Sequence, residues 1–77
     1  MNNYYRVEEE KVKGKVLNNG RDAWEELCSI PGVRATSWGG IFLPEDYVLS
    51  METDPFGSWL AEQCAVLPFP YKEGELE

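Results

Sequence analysis

Apolar and polar residues alternate over two stretches near the N-terminus. In YYRVE, residues 4–8, Tyr5 and Val7 fall on one side of an extended chain. In KVKGKV, residues 11–16, Lys11, Lys13 and Lys15 fall on one side and Val12, Gly14 and Val16 on the other. That is the pattern of a half-buried strand with a lysine row in water, a device that guards sheet edges. The two stretches are out of phase, so a bulge or turn at Glu8–Glu10 must reset the face. A helix over 4–13 is the rival reading, because EEEK favours helix. Gly14 and the lysine alternation decide for strand.

After Asn18-Asn19-Gly20 the period changes. Ala23, Trp24, Leu27 and Cys28 recur at helical spacing, which predicts a helix over about 20–29. Asn19 is the expected N-cap, and Asp22 suits the first turn. Pro31 ends the helix by disfavouring α geometry at Ile30. The stretch RATSWGGIFL, residues 34–43, then reads as a central hairpin folded on Gly39-Gly40, with both glycines at positive φ. Residues 44–52 are ambiguous. Pro44, Glu45 and Asp46 could open a helix or form a type I turn. Tyr47, Leu49 and Met51 alternate with Val48, Ser50 and Glu52, which predicts a third strand and a meander over 34–52.

Thr53-Asp54-Pro55 is a firmer helix start: an acceptor at the cap and proline at the first helical position. It predicts a helix over about 54–64, with Phe56, Trp59, Leu60 and Cys64 on one face and Gly57 weakening it by up to ~1 kcal/mol relative to alanine. VLPFPY, residues 66–71, carries two alternate prolines and predicts an extended edge strand or polyproline-like arm. The expected fold is therefore α+β: one small domain over 1–71, an antiparallel sheet of about three to five short strands packed with two short helices, and an acidic tail at 72–77.

At 77 residues, such a domain buries only about 60% of its unfolded surface. Three tryptophans and three phenylalanines compensate. The apolar runs are far shorter than the ~20 residues that span a bilayer. The polar, then acidic, N-terminus is not that of a signal peptide. The cytoplasm is the expected compartment, with Cys28 and Cys64 as reduced, buried core thiols.

The formal charge is −7, and it is unevenly placed. Residues 1–34 hold six basic and six acidic residues. Residues 35–77 hold Lys72 alone against eight acids, the whole of the net charge. Phosphates and anionic lipid surfaces both demand a basic footprint, so the expectation is neither direct nucleic-acid binding nor membrane binding.

The chain has no histidine, which excludes Ser-His-Asp and Cys-His catalysis and the usual zinc sites. The cysteines form no C-x-x-C pair, and Gly39-Gly40 lacks the pattern of a phosphate-binding loop. Glu45-Asp46 and Glu52/Asp54 do not match a calcium loop. The sequence therefore predicts no enzyme, no cofactor and no metal.

Two features remain. One is the acidic run Glu45, Asp46, Glu52, Asp54 and Glu62, uninterrupted by a basic residue between Arg34 and Lys72. It reads either as a solubilising surface or as a partner-binding face, since complementary charge speeds and orients docking. The other is VLPFPY, either an arm on the core or a recognition segment for an apolar groove. In size, acidity and lack of catalytic motifs the chain is similar to small phage inhibitors of nucleic-acid enzymes, such as anti-CRISPR proteins. That resemblance covers no motif. It implies a nucleic-acid mimic that inhibits or regulates a protein partner with a basic surface. The alternative is a structural or assembly protein that associates through the apolar arm or a sheet edge as a homo-oligomer.

Overall fold

The first extended stretch becomes the middle of the molecule. In the computed structural model, which describes residues 3–76, β1 (Asn3–Val7) lies inside a four-stranded sheet. On one side it pairs antiparallel with β3 (Ile41–Pro44), with Tyr5 opposite Leu43 and Arg6 opposite Phe42. On the other it pairs antiparallel with β4 (Val66–Lys72), with Tyr4 opposite Tyr71 and an irregularity between Tyr5 and Val7. The two-residue β2 (Arg34–Ala35) adds to the far side of β3, giving the order β2-β3-β1-β4. The sheet is α+β in class, as the sequence predicts. The hairpin over 34–43 is present: its short β2 forms one edge of the sheet, and its β3 shares the two interior positions with β1.

The alternation of β1 and β3 sorts the core into two layers. Val7, Ile41 and Leu43 face a helical layer and pack with Ala23, Leu27, Phe56 and Leu60. Tyr4 and Phe42 face the other way and pack with Leu76 and Tyr71. Period-two alternation makes this division obligatory once the register is set.

The helical layer begins with α1 (Ala23–Cys28). Its N-cap is Asp22, whose carboxylate accepts from Glu25 N–H at 3.1 Å. Asn19, the expected cap, instead accepts from Arg21 N–H within the preceding turn. The helix over 54–64 is α3 (Pro55–Glu62), capped by Asp54 with proline in the first turn, as the sequence predicts.

Three stretches depart from the sequence reading. KVKGKV is not a strand. Glu9–Lys11 form a 3-10 turn, Gly14 has φ +79°, and strand-like contact is limited to one bridge between Val16 and Asp22. Val12 is fully buried while Val16 is 68% exposed, so the valines do not share a face. Lys13 bonds Glu9 at 3.4 Å and lies over the Trp24 ring, so the lysines are not an edge row either.

Residues 45–52 are not a third strand of a meander. Glu45–Ser50 form a helix, α2, followed by a 3-10 turn at Met51–Thr53. Pro44 sits at the cap position, and Glu45 and Asp46 place negative charge at the positive end of the helix. The turn of the hairpin also differs. Thr36 and Gly40 close a three-residue loop: Thr36 N–H donates to Gly40 C=O, and Gly40 N–H donates to Thr36 Oγ1. Gly39 alone of the pair has positive φ, +93°. Trp38 is in the loop rather than in a strand.

VLPFPY is the edge strand β4, one of the two forms expected. Its continuation is not loose over the described part of the acidic tail. Glu73–Leu76 form a 3-10 turn that buries Leu76 against Tyr4 and Phe42.

Both cysteines are exposed, against the expectation of burial. The α1 helix buries Ala23 and Leu27, and Cys28 turns outward. Cys64 ends α3 in left-handed geometry, φ 54°. Its N–H donates to Ala61 C=O and that of Ala65 to Leu60 C=O, the paired bonds of a Schellman cap in a position glycine usually takes. Both thiols are therefore expected to react promptly with a thiol reagent in the native protein. Labelling that requires denaturant would contradict their placement.

Gly57 has a packing reason that propensity misses. A Cβ there would overlap the backbone carbonyl and Cα of Met51. Helix propensity alone predicts that Gly57→Ala gains up to ~1 kcal/mol. The close approach predicts the opposite, a loss of about 1–3 kcal/mol from overpacking. A denaturant melt of the alanine variant decides between the two signs.

Candidate functional site

The residues of the acidic run fall on the segment α2–turn–α3, but they do not all have the same role. Glu45 and Asp46 open α2, Glu52 lies in the 3-10 turn, and Asp54 caps α3. Glu62 ends α3, roughly 10 Å along the axis from Pro55 at 1.5 Å per residue. Asp54 belongs to the fold. Its Oδ2 accepts from Gly57 N–H at 2.9 Å and from the Tyr47 hydroxyl at 2.8 Å, so one carboxylate joins α2 to α3. Asp46, Glu52 and Glu62 are exposed, and Glu45 is half-buried with Asn3 Nδ2 at 3.4 Å.

The ion pairs lie elsewhere. Lys11–Glu8, Lys13–Glu9, Arg21–Glu26 and Arg34–Glu73 pair at 3.2 to 3.6 Å. Among the described residues, none of Glu45, Asp46, Glu52 and Glu62 has a basic partner within 4.0 Å. The charge that the sequence leaves uncompensated after Arg34 is uncompensated in space on this helical segment too.

Beside it runs an open cleft of about 430 Å³, walled by Glu26, Ser29 and Pro31 on one side and Tyr47, Asp54 and Phe56 on the other. A second hollow of about 280 Å³ shares Asn19, Glu26, Pro55 and Phe56 with it and adds Leu17 and Trp59. Trp59 stacks on Phe56, ring centroids 5.7 Å apart and 13° from parallel. Burial first, then the bond to Asp54, then the charges of Asp54 and Glu26, push the Tyr47 phenol well above its ordinary value of 10.0.

The sheet face opposite the helices carries different chemistry. Arg34, Phe42 and Arg6 form one cross-strand row. The Arg6 guanidinium lies 5.1 Å from the Trp38 ring centroid, and Trp38 meets Phe42 edge to face. Trp38 folds back over Gly40, where a Cβ would stand 2.6 Å from the indole. Even so, Trp38 is 49% exposed, and Phe69 on β4 is 65% exposed.

Sequence reasoning did not single out Glu26, Tyr47 or Trp59 as site residues. Reading residues 45–50 as a helix would have raised Tyr47, because a short helix and turn fold it back toward the Asp54 cap, whereas a strand leads away from it. Among the described residues, no group of three or more Cys, Asp or Glu side chains is placed to hold a metal ion. No described helix is long and apolar enough to cross a membrane. Comparison with protein-family models, with curated proteins and with solved structures finds no match to this chain.

The folded state favours the neutral Tyr47 phenol. The unfolded chain ionises it from pH 10 upward, whereas the folded protein holds its proton to higher pH. The contribution is therefore full below pH 10 and is lost as pH rises through the folded-state value. Stability of the native chain is expected to fall above pH 10 more steeply than that of Tyr47→Phe. Parallel slopes in urea melts across that range would contradict the burial and bonding of this phenol.

Proposed function

We propose that this protein is a non-enzymatic inhibitor or regulator that docks on the basic surface of a nucleic-acid-binding protein. Glu45, Asp46, Glu52 and Glu62 stand in for part of a phosphate row, in the manner of small phage anti-defence inhibitors. The observation that carries this reading is the separation of charge. Four basic residues are paired with carboxylates elsewhere, while these four acids have no basic partner among the described residues. A solubilising surface needs no such separation. A steering surface does, because uncompensated charge of one sign raises the rate of encounter with an opposite surface. Asp54 is left out of the face, since its carboxylate is engaged by Gly57 and Tyr47.

The test neutralises the four acids together, as Glu45→Gln, Asp46→Asn, Glu52→Gln and Glu62→Gln, with Asp54 kept. Folding should change little, because Asp46, Glu52 and Glu62 are exposed and Glu45→Gln keeps a side-chain oxygen for Asn3. Association with a basic partner recovered from nuclease-treated host lysate should slow by about an order of magnitude or more at low salt, and less at high salt. Wild type should compete with nucleic acid for that partner, and the variant should compete poorly. Equal association and competition would reduce these acids to solvated surface.

One observation favours a second reading, self-association. Trp38 and Phe69 are exposed, and Trp38 meets Phe42 on the sheet face opposite the α-helices, which the 3-10 turn at Glu73–Leu76 covers only through Leu76 on Tyr4 and Phe42. The free edge of β4 is poorly suited to strand addition, because Pro68 and Pro70 lack N–H donors. Assembly would therefore use the face rather than the edge. Sedimentation should then show a concentration-dependent dimer that Phe69→Ser abolishes. A monomer at every concentration removes this reading.

A further inference from the structure

We infer that the cleft between α1 and the α2–α3 corner is a socket for an arginine side chain of the protein partner. This rests on the acidic-surface reading and names the group that anchors it. The socket has the two parts an arginine requires. Its polar end holds two carboxylates, Glu26 and Asp54. Each keeps one oxygen without a hydrogen bond among the described residues. Asp54 uses Oδ2 for both of its bonds, and Glu26 uses Oε1 for Arg21. Its apolar part is the adjoining hollow, which shares Asn19, Glu26, Pro55 and Phe56 with the cleft and adds Leu17 and the Trp59 ring stacked on Phe56. No basic residue lines either hollow.

Charge and shape select the occupant together. A carboxylate or phosphate ligand would enter against Asp54, which has no basic partner among the described residues, and Glu26, which has Arg21 on one oxygen only. A neutral apolar group would leave the carboxylates desolvated without compensation. A lysine brings charge, but as a compact, strongly hydrated point. A guanidinium is planar, stacks on an aromatic ring and offers donors in a fixed fork to two carboxylate oxygens at once. The three-carbon stem of arginine lies along apolar surface while its head reaches the acids. Asn19, shared by both hollows, sets the rim.

The experiment is an amide-resonance titration of the full chain with three blocked tripeptides, Gly-Arg-Gly, Gly-Lys-Gly and Gly-citrulline-Gly. Citrulline keeps the shape of arginine and removes its charge. The arginine peptide should shift the resonances of Asn19, Glu26 and Tyr47 and the Trp59 indole N–H. It should bind about tenfold more tightly than the citrulline peptide, and more tightly than the lysine peptide. Glu26→Gln, with an otherwise unchanged spectrum, should weaken the arginine peptide to a similar degree. Equal responses to arginine and citrulline overturn the socket. So do shifts confined to Glu45, Asp46, Glu52 and Glu62, or the absence of any shift. None of these outcomes touches the acidic-surface reading, which fails separately if the four-fold neutralised variant keeps its partner.

Discussion

Everything in this fold depends on β1 lying between β3 and β4. The strand comes from one end of the chain and β4 from the other, so the sheet closes only when the two ends meet. Val7 reaches one core layer and Tyr4 the other, and both are buried. Without β1, β3 retains only the two-residue β2 as a partner, and β4 has none. Leu76 completes the closure by covering Tyr4 and Phe42 from the C-terminal side. For a chain too short to build a deep core, joining its ends in one sheet makes both layers serve the same strand.

The segment between β3 and β4 is left to make a helical corner, and there fold and charge meet. Asp54 ties α2 to α3 through one oxygen, accepting from a backbone N–H and a phenol. Hydrogen bonds to an ionised carboxylate are about twice as strong as neutral ones, so this acid is committed to structure. Its neighbours in sequence are not. Glu52 lies two residues away and projects into solvent without a basic partner among the described residues. A row of acids that looks uniform in sequence is thus divided by what each carboxylate accepts.

Some of this was legible in the sequence for definite reasons. Asp54-Pro55 specifies a helix start by cap chemistry and a fixed φ, and α3 begins there. Tyr5 and Val7 specify a strand, and the prolines of VLPFPY specify an edge. What failed was alternation read without length or context. KVKGKV alternates over six residues, yet Gly14 takes positive φ and the chain turns there to reach α1. Tyr47 to Glu52 alternates too, but Glu45 and Asp46 had already supplied a helix start. That error hid the candidate cleft, because a strand at 47–52 separates Tyr47 from Asp54, whereas a helix brings them into contact. The thiols were misplaced because burial was assigned by residue type. The short α1 turns Cys28 outward, and Cys64 occupies a helix cap.

The division of the acidic run is most directly tested by neutralising its members one at a time and melting each variant in denaturant. Asp54→Ala should cost about 1–3 kcal/mol, from the lost cap and the phenol left without its acceptor. Asp46→Asn, Glu52→Gln and Glu62→Gln should each stay within about 0.5 kcal/mol of the native chain. Comparable losses at all four positions, or none at Asp54, would contradict the assignment of Asp54 to the fold and of its neighbours to a free surface.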